Sequence, residues 1–250
     1  MSFKDHFSGH AADYARFRPG YPAALFLYLA SLAPEHKRAW DCATGNGQAA
    51  RGLANHFRYV VATDASAEQI KNAEEHERVE YRVAAAEKSG LDAGSIDLVT
   101  VAQALHWFDI PAFFREVQRV LKANGIVAVW AYNLLSVSPP IDRLIMEFYE
   151  ETTGPFWPPE RTIVESGYRE VEFPFAELTP PSFELETRWT LHQVLGYLRT
   201  WSATQKFVAA RGFDPVILLG QEIAPFWKDA DEPRMIHWPL SLRVGRKSSS

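Results

Sequence analysis

Cysteine is nearly missing from this sequence: Cys42 stands alone, so no disulfide closes within the chain and no cysteine cluster can hold zinc. A reducing compartment is the simpler expectation. Positive charge is also in short supply. With 26 Lys and Arg against 31 Asp and Glu, the formal charge of -5 gives no field that would gather a phosphate backbone, which argues against a nucleic-acid partner. Long hydrophobic runs are lacking too. The longest reach about half a membrane span, and the stretch Met1 to His6 has no apolar character of the signal-peptide kind, so a cytoplasmic protein that engages no membrane is expected. No internal repeat or low-complexity stretch stands out beyond the terminal Ser248-Ser249-Ser250. What is there, 47% hydrophobic and 23% charged residues over 250 positions, suits one globular α/β domain carrying an insertion.

Up to about residue 130, short β-rich apolar runs alternate with helical patterns, as in a parallel sheet with helices on both faces. The runs predict strands at residues 39–43, 59–63, 79–83, 96–101 and 126–131. Ser66 and Gln69 form a capping box that opens a helix toward His76. Asp109 and Pro111 open another, whose apolar face is Phe113, Phe114, Val117, Val120 and Leu121, with Asn124-Gly125 as a left-handed stop. Beyond residue 132, Phe156-Trp157-Pro158-Pro159 and Thr179-Pro180-Pro181 cannot continue a βαβ series and predict an aromatic cap. Within the cap, Thr190 and Gln193 make a second capping box, and one strand is expected near residues 168–174. Alternation of Leu240, Leu242 and Val244 with Ser241 and Arg243 predicts an antiparallel edge strand, with Pro239 fitting its beginning. The expected fold is a Rossmann-like, doubly wound, mostly parallel sheet with an antiparallel edge strand near the C-terminus and a helical, aromatic cap. Its parts would be an N-terminal helical cover (1–34), a cofactor-binding core (35–135), a cap (136–232) and a final antiparallel strand (233–247).

The segment Asp41-Cys42-Ala43-Thr44-Gly45-Asn46-Gly47-Gln48-Ala49-Ala50 joins a predicted strand to a predicted helix. Gly45 and Gly47 permit a tight turn and a close approach of backbone to ligand. Asp64, at the end of the next strand, could accept hydrogen bonds from both hydroxyls of an adenosine ribose. Gly45-x-Gly47-x-x-Ala50 with a later acid also fits a dinucleotide-binding fingerprint, so at this point the cofactor stays open between two nucleosides, and plain turn chemistry remains a third reading.

The order of segments resembles a class I S-adenosylmethionine-dependent methyltransferase, especially the trans-aconitate methyltransferase-like (methyltransferase type 11) small-molecule branch. Asp41, Gly45 and Gly47 match its first motif, with Ala43 in place of the first glycine. The likeness continues through Thr63-Asp64-Ala65-Ser66, Ala85-Ala86-Glu87, Asp97-Leu98-Val99, Gln103-Ala104-Leu105-His106-Trp107-Phe108 and Arg119-Val120-Leu121-Lys122-x-x-Gly125. Tyr14-x-Arg16-x-Arg18-Pro19-x-Tyr21-Pro22 and Trp238-Pro239-Leu240-x-Leu242-x-Val244-Gly245-Arg246 extend it to most of the chain, though loosely over the cap.

The resemblance implies S-adenosylmethionine as cofactor, with S-adenosylhomocysteine as product. The cofactor residues it implies are Tyr14, Asp41, Ala43, Gly45, Asn46, Gly47, Asp64, Ala65, Ala86, Glu87, Gln103 and Ala104. The Gly45 to Gly47 loop would cradle the methionine part, Asp64 the ribose and Ala86-Glu87 the adenine, with Gln103-Ala104 on the methyl side. Methyl transfer needs no metal, and none is expected. The acceptor would be a small molecule, with carboxyl O-methylation as the leading reading, and the protein a monomer or homodimer. Arg18, like Arg16, could clamp a carboxylate, or could be a solvated surface arginine; His106 could be a base or hydrogen-bond donor, or a packed histidine beside Trp107. No Asn or Asp followed by Pro-Pro and an aromatic follows the fourth strand, and Cys42 sits on no Pro-Cys loop, which argues against nucleobase methylation. The rivals are an NAD(P)-dependent oxidoreductase and a non-catalytic S-adenosylmethionine-binding module.

Overall fold

Strands form where apolar, β-branched runs can be covered on both faces. In the computed structural model, which describes residues 19–248, these runs become β1 (Arg38–Cys42), β2 (Tyr59–Asp64), β3 (Val79–Val83), β4 (Ile96–Ala102) and β5 (Leu121–Tyr132). The C-terminal half adds β6 (Ala176–Leu178), β7 (Glu184–Trp189) and β8 (Arg234–Arg246). Among the described residues the sheet runs β3-β2-β1-β4-β5-β8-β6, with β7 paired to β8. β1 to β5 are parallel to one another, and β8 is antiparallel to β5. The antiparallel edge expected near the C-terminus is therefore β8, with three-residue β6 outside it.

The two faces of the sheet carry separate apolar layers. Trp40, Val99, Phe113, Phe114 and Val117 pack on one side, and Leu25, Ala50, Leu53, Ala128 and Trp130 on the other. A third cluster lies in the cap, where Ile145, Trp189, Tyr197, Trp201, Trp227 and Trp238 bury one another. Most of the cap's aromatic rings are thus core. Phe156 and Trp157 instead line a cavity, and Phe226 stands exposed. No described helix is long and apolar enough to cross a membrane.

Local capping operates where the residues demand it. Ser66 accepts from the Gln69 N–H, Asp109 from the Ala112 N–H, and Thr190 with Gln193 completes a reciprocal capping box. The helix opened by Ser66 stops at Lys71 and does not reach His76. Residues 74–77 are Glu-Glu-His-Glu, with no apolar face to bury, and Glu74 is drawn into tertiary contacts: its N–H bonds the Asn46 carbonyl and its carbonyl accepts from Tyr81.

Three other expectations are corrected. Asn124, left-handed at φ 62°, is not the stop of the preceding helix, which ends at Val120 because Leu121 already has extended dihedrals and pairs with Ile96. Residues 168–174 form no strand. Gly167 and Tyr168 have positive φ, and the Tyr168 and Val171 carbonyls accept from the Arg243 guanidinium at 2.6 and 2.7 Å, which removes them from any ladder. Pro239 lies inside β8, where the strand changes partner from β7 to β5, a position that tolerates a missing N–H.

Candidate active site

Parallel pairing brings the C-terminal ends of β1, β2 and β4 together, with β1 between β2 and β4 where the strand order reverses. Open α/β sheets bind ligands at such a point. A cavity of about 1680 Å³ lies there, above the roughly 300–1,000 Å³ of ordinary ligand pockets and large enough for two reactants. Its floor is residues 43–46 at the end of β1, 64–66 at the end of β2, 84–87 after β3, and 102–104 with 106–109 at the end of β4, and residues 155–160 of the cap stand over it.

The loop after β1 turns through left-handed residues at Ala43, Gly45 and Gly47, with φ of 54°, 56° and 85°. A Cβ on Gly45 would meet nothing nearer than Gln69 Oε1 at 3.9 Å, so glycine there serves the turn and leaves the cavity open. The Gly45 N–H donates to Asp64 Oδ2 and the Ser66 N–H to Asp64 Oδ1, both at 2.9 Å. Asp64, 9% exposed, therefore ties two loops together at the cavity wall.

Two of the motif's expected cofactor residues do not line the cavity. Asp41 is fully buried beneath the loop, where its carboxylate accepts from the hydroxyls of Thr44 (2.5 Å) and Thr100 (2.7 Å). Its part is to brace Thr44, not to face a ligand. Gly47 faces β3: a Cβ there would lie 2.1 Å from the Tyr81 hydroxyl oxygen. Tyr14, Arg16 and Arg18 lie outside the described residues.

Burial raises the Asp41 carboxyl to about 6, against the opposing pull of hydrogen bonds from the two threonine hydroxyls and the Ala50 backbone. Because this folded value exceeds the ordinary 3.8, the folded state holds the proton more readily than the unfolded chain. The resulting stabilisation is present below about pH 4 and lost as pH rises through 6. In Asp41→Asn the amide oxygen can keep the Ala50 backbone N–H while the threonine hydroxyls rotate to accept from the NH2, so the variant is expected to fold and to gain on the wild type by about 2–3 kcal/mol between pH 4 and 7. Urea unfolding across that range reads the difference; parallel pH profiles would contradict the buried charge.

Gln103 is another non-glycine residue at positive φ, 57°, and lines the cavity. Its side-chain amide is committed to the backbone of Tyr132, donating to the carbonyl and accepting from the N–H, both at 2.8 Å. It thus fixes the wall between β4 and β5. Beside it Ala104 lines the cavity, while Ala65 and Asn46 border Asp64 and Ala86 borders Glu87, whose carboxylate accepts from the Asp109 N–H at 3.0 Å.

His106 sits in the short turn after β4, its ring 4.5 Å from Trp107 and its Nδ1 3.4 Å from the Tyr168 hydroxyl. Burial, aided by the positive charge of Arg161, holds its pKa at about 3. The ring is neutral at physiological pH, a poor base and a competent hydrogen-bond partner.

Beside His106 a smaller recess of about 70 Å³ is walled by Gln103, Tyr132, Trp157, Trp201 and Arg161. Arg161 escaped sequence reasoning because its Pro-rich setting carries no motif, and Trp157, extended and followed by Pro158-Pro159, shares no helical turn with it that a spacing rule could read. Glu184, Glu186 and His237, the one potential metal-ligand group among the described residues, lie on the β7–β8 ladder and form no part of the cavity wall.

Residues 40–129 match the family described as methyltransferase domain. A protein of Dictyostelium discoideum named as a methyltransferase is 34% identical over 252 residues, spanning 98% of this chain and 96% of its own length. A solved structure from Anaeromyxobacter dehalogenans, described as a type II methyltransferase, superposes with a TM-score of 0.89 at 41% identity, over 94% of this chain and all of that one. A phosphoethanolamine N-methyltransferase of Haemonchus contortus, solved with S-adenosylhomocysteine, shares the fold alone: TM-score 0.51 at 18% identity, over 100% of this chain and 61% of that one. The oxidoreductase reading finds no support in these relatives.

Proposed function

Because this chain belongs to the class I S-adenosylmethionine-dependent methyltransferases, we propose that it methylates a small organic acceptor, at a carboxylate oxygen, as a member of the trans-aconitate methyltransferase-like branch. The observation that carries the proposal is the single cavity that runs from Gly45 and Asp64 to the aromatic cap at Trp157. Donor and acceptor can share one space there, and holding both at near-attack distance is worth roughly 7–11 kcal/mol against a bimolecular barrier.

The chain's own residues fit the donor. Gly45 leaves backbone exposed where a side chain would intrude, Asp64 faces the cavity as an acceptor for a sugar diol, and Ala86 beside Glu87 leaves room for a flat base. When bound, S-adenosylmethionine supplies an electrophilic methyl group on a sulfonium, which a nucleophile takes in line and which leaves a neutral thioether. The protein binds, orients and keeps water out. Phe156 and Trp157 provide the dry wall, and exclusion of water leaves an anionic acceptor less shielded. A carboxylate, with a pKa of about 4, reaches the site already ionised and needs no base, which suits the neutral His106 as a hydrogen-bond partner.

The same reading takes residues 35–135 as donor-binding core and 136–232 as acceptor-facing cap of one domain, acting in the cytoplasm as a monomer or homodimer on a small molecule. Calorimetry should show S-adenosylhomocysteine binding with none for NADH. Labelled methyl groups should then pass to members of a panel of carboxylates, phenols and amines, carboxylates first. NADH binding without S-adenosylhomocysteine binding would refute the donor; firm donor binding with no transfer to any class would favour the non-catalytic module.

A further inference from the structure

Carboxylates line both sides of the cavity, and among the described residues its cations come from the cap. Asp64, Glu87 and Asp109 lie on the side built from the ends of the sheet strands. The cap adds Glu160 and Lys206 at the larger cavity and Arg161 at the adjoining recess. Among the described residues no carboxylate lies within 4.0 Å of Arg161, although Arg119, Arg199 and Arg243 all hold such partners. The guanidinium is fixed without one. Its carbon lies 4.8 Å from the Trp157 ring centre and 5.4 Å from that of Tyr149. Nε donates to the Tyr149 hydroxyl at 2.8 Å, that hydroxyl donates onward to Glu165, and one terminal nitrogen reaches Asn133 Oδ1 only at 3.4 Å. Two of five donors are thereby engaged. Orientation is set by stacked rings and a tyrosine, while the terminal nitrogens keep donors for something else.

We propose that Arg161 is the acceptor-binding residue of this enzyme, its aromatic-held guanidinium receiving an acceptor carboxylate in the recess beside His106. The inference rests on the methyltransferase reading and gives its acceptor a chemical class and an anchor. A planar fork binds a carboxylate through two parallel hydrogen bonds, which fixes direction as well as charge. The recess is of a size for such a head group and shares Gln103, His106, Tyr132 and Trp157 with the large cavity, so an anchored acid extends from one into the other. An acceptor with two carboxylates can leave one on Arg161 and present the other as nucleophile. His106, neutral and on the same wall, adds a donor or acceptor without competing charge.

The test is carboxylate binding to the preformed S-adenosylhomocysteine complex, read by quenching of tryptophan fluorescence with succinate, glutarate, benzoate and phenylacetate as probes, and by KM in the labelled-methyl assay for the two diacids. The expected result is binding of at least one acid but not of its amide. Arg161→Gln should weaken it about 30-fold and raise KM equally, with S-adenosylhomocysteine affinity within about twofold of wild type. Arg161→Lys, which keeps charge and loses the fork, should fall about 10-fold and covers the case in which the glutamine variant does not fold. A folded variant with unchanged carboxylate affinity would overturn the assignment, as would a wild-type complex that binds none of the acids. Failure of the wild type to bind S-adenosylhomocysteine at all would instead strike the methyltransferase reading beneath it.

Discussion

Asp64→Ala is expected to weaken S-adenosylhomocysteine binding by about 3–4 kcal/mol, a few hundred-fold in Kd, with the protein still folded. The effect should exceed the loss of ligand hydrogen bonds alone. The carboxylate holds the Gly45 and Ser66 N–H groups at 2.9 Å each, so its removal frees the glycine loop and the turn after β2 together. Asp64→Asn should do almost equal harm. Each carboxylate oxygen faces a backbone donor, so one end of the amide must set its NH2 against another N–H, whichever way it turns. Asp41 behaves oppositely because two of its three partners are hydroxyls that can rotate, and the Ala50 backbone N–H needs only one oxygen. Titration calorimetry on both variants, with circular dichroism as the folding control, measures this. An asparagine variant with wild-type affinity would mean that the carboxylate does not brace the loop.

Gly47→Ala should destabilise the fold by about 4 kcal/mol, roughly 10 °C in Tm. Two costs combine. The backbone is left-handed at φ 85°, and the new methyl would lie 2.1 Å from the Tyr81 hydroxyl oxygen and 2.9 Å from two ring carbons. The ring cannot swing away freely, since its hydroxyl donates to the Glu74 carbonyl at 2.8 Å. In a Tyr81→Ala background the same substitution should cost only the backbone share of roughly 1–2 kcal/mol. Differential scanning calorimetry of the single and double variants separates the two. A fall in Tm below about 2 °C for the single variant would place Tyr81 elsewhere.

The tyrosine contact shows why the glycine motif was readable and its division of labour was not. Two glycines at a strand-to-helix turn announce a bend, and Gly45 serves it at the cavity. That Gly47 instead makes room for an aromatic ring depends on β3 lying beside β2, a pairing between residues far apart in the chain. Likewise the acid at Asp41 marks the motif, but only the neighbouring β4, which brings Thr100 within 2.7 Å across 59 positions, shows that it is sealed away from ligand.

The cap was harder still. Its rings are evident in the sequence, and the alternation of Leu185, Thr187 and Trp189 with Glu184, Glu186 and Arg188 was there to be read as a strand. The Pro-rich surroundings obscured it. Arg161 has no local signature as a binding group, because what distinguishes it is that no carboxylate among the described residues lies within 4.0 Å, together with a tyrosine 12 positions away that accepts from its Nε beside the recess.

Legible from the residues were the parallel strand series, the caps at Ser66, Asp109 and Thr190, the tight turn after β1 and the acid at the end of β2. These are set by dihedral preference, period and hydrogen bonds reaching only a few residues. Only long-range packing sets which acid faces the cavity, which glycine faces a ring, that His106 stays neutral and that the Arg161 guanidinium meets no carboxylate among the described residues. Each depends on burial and on charges from distant segments, and desolvation has no value until the chain has closed around the group.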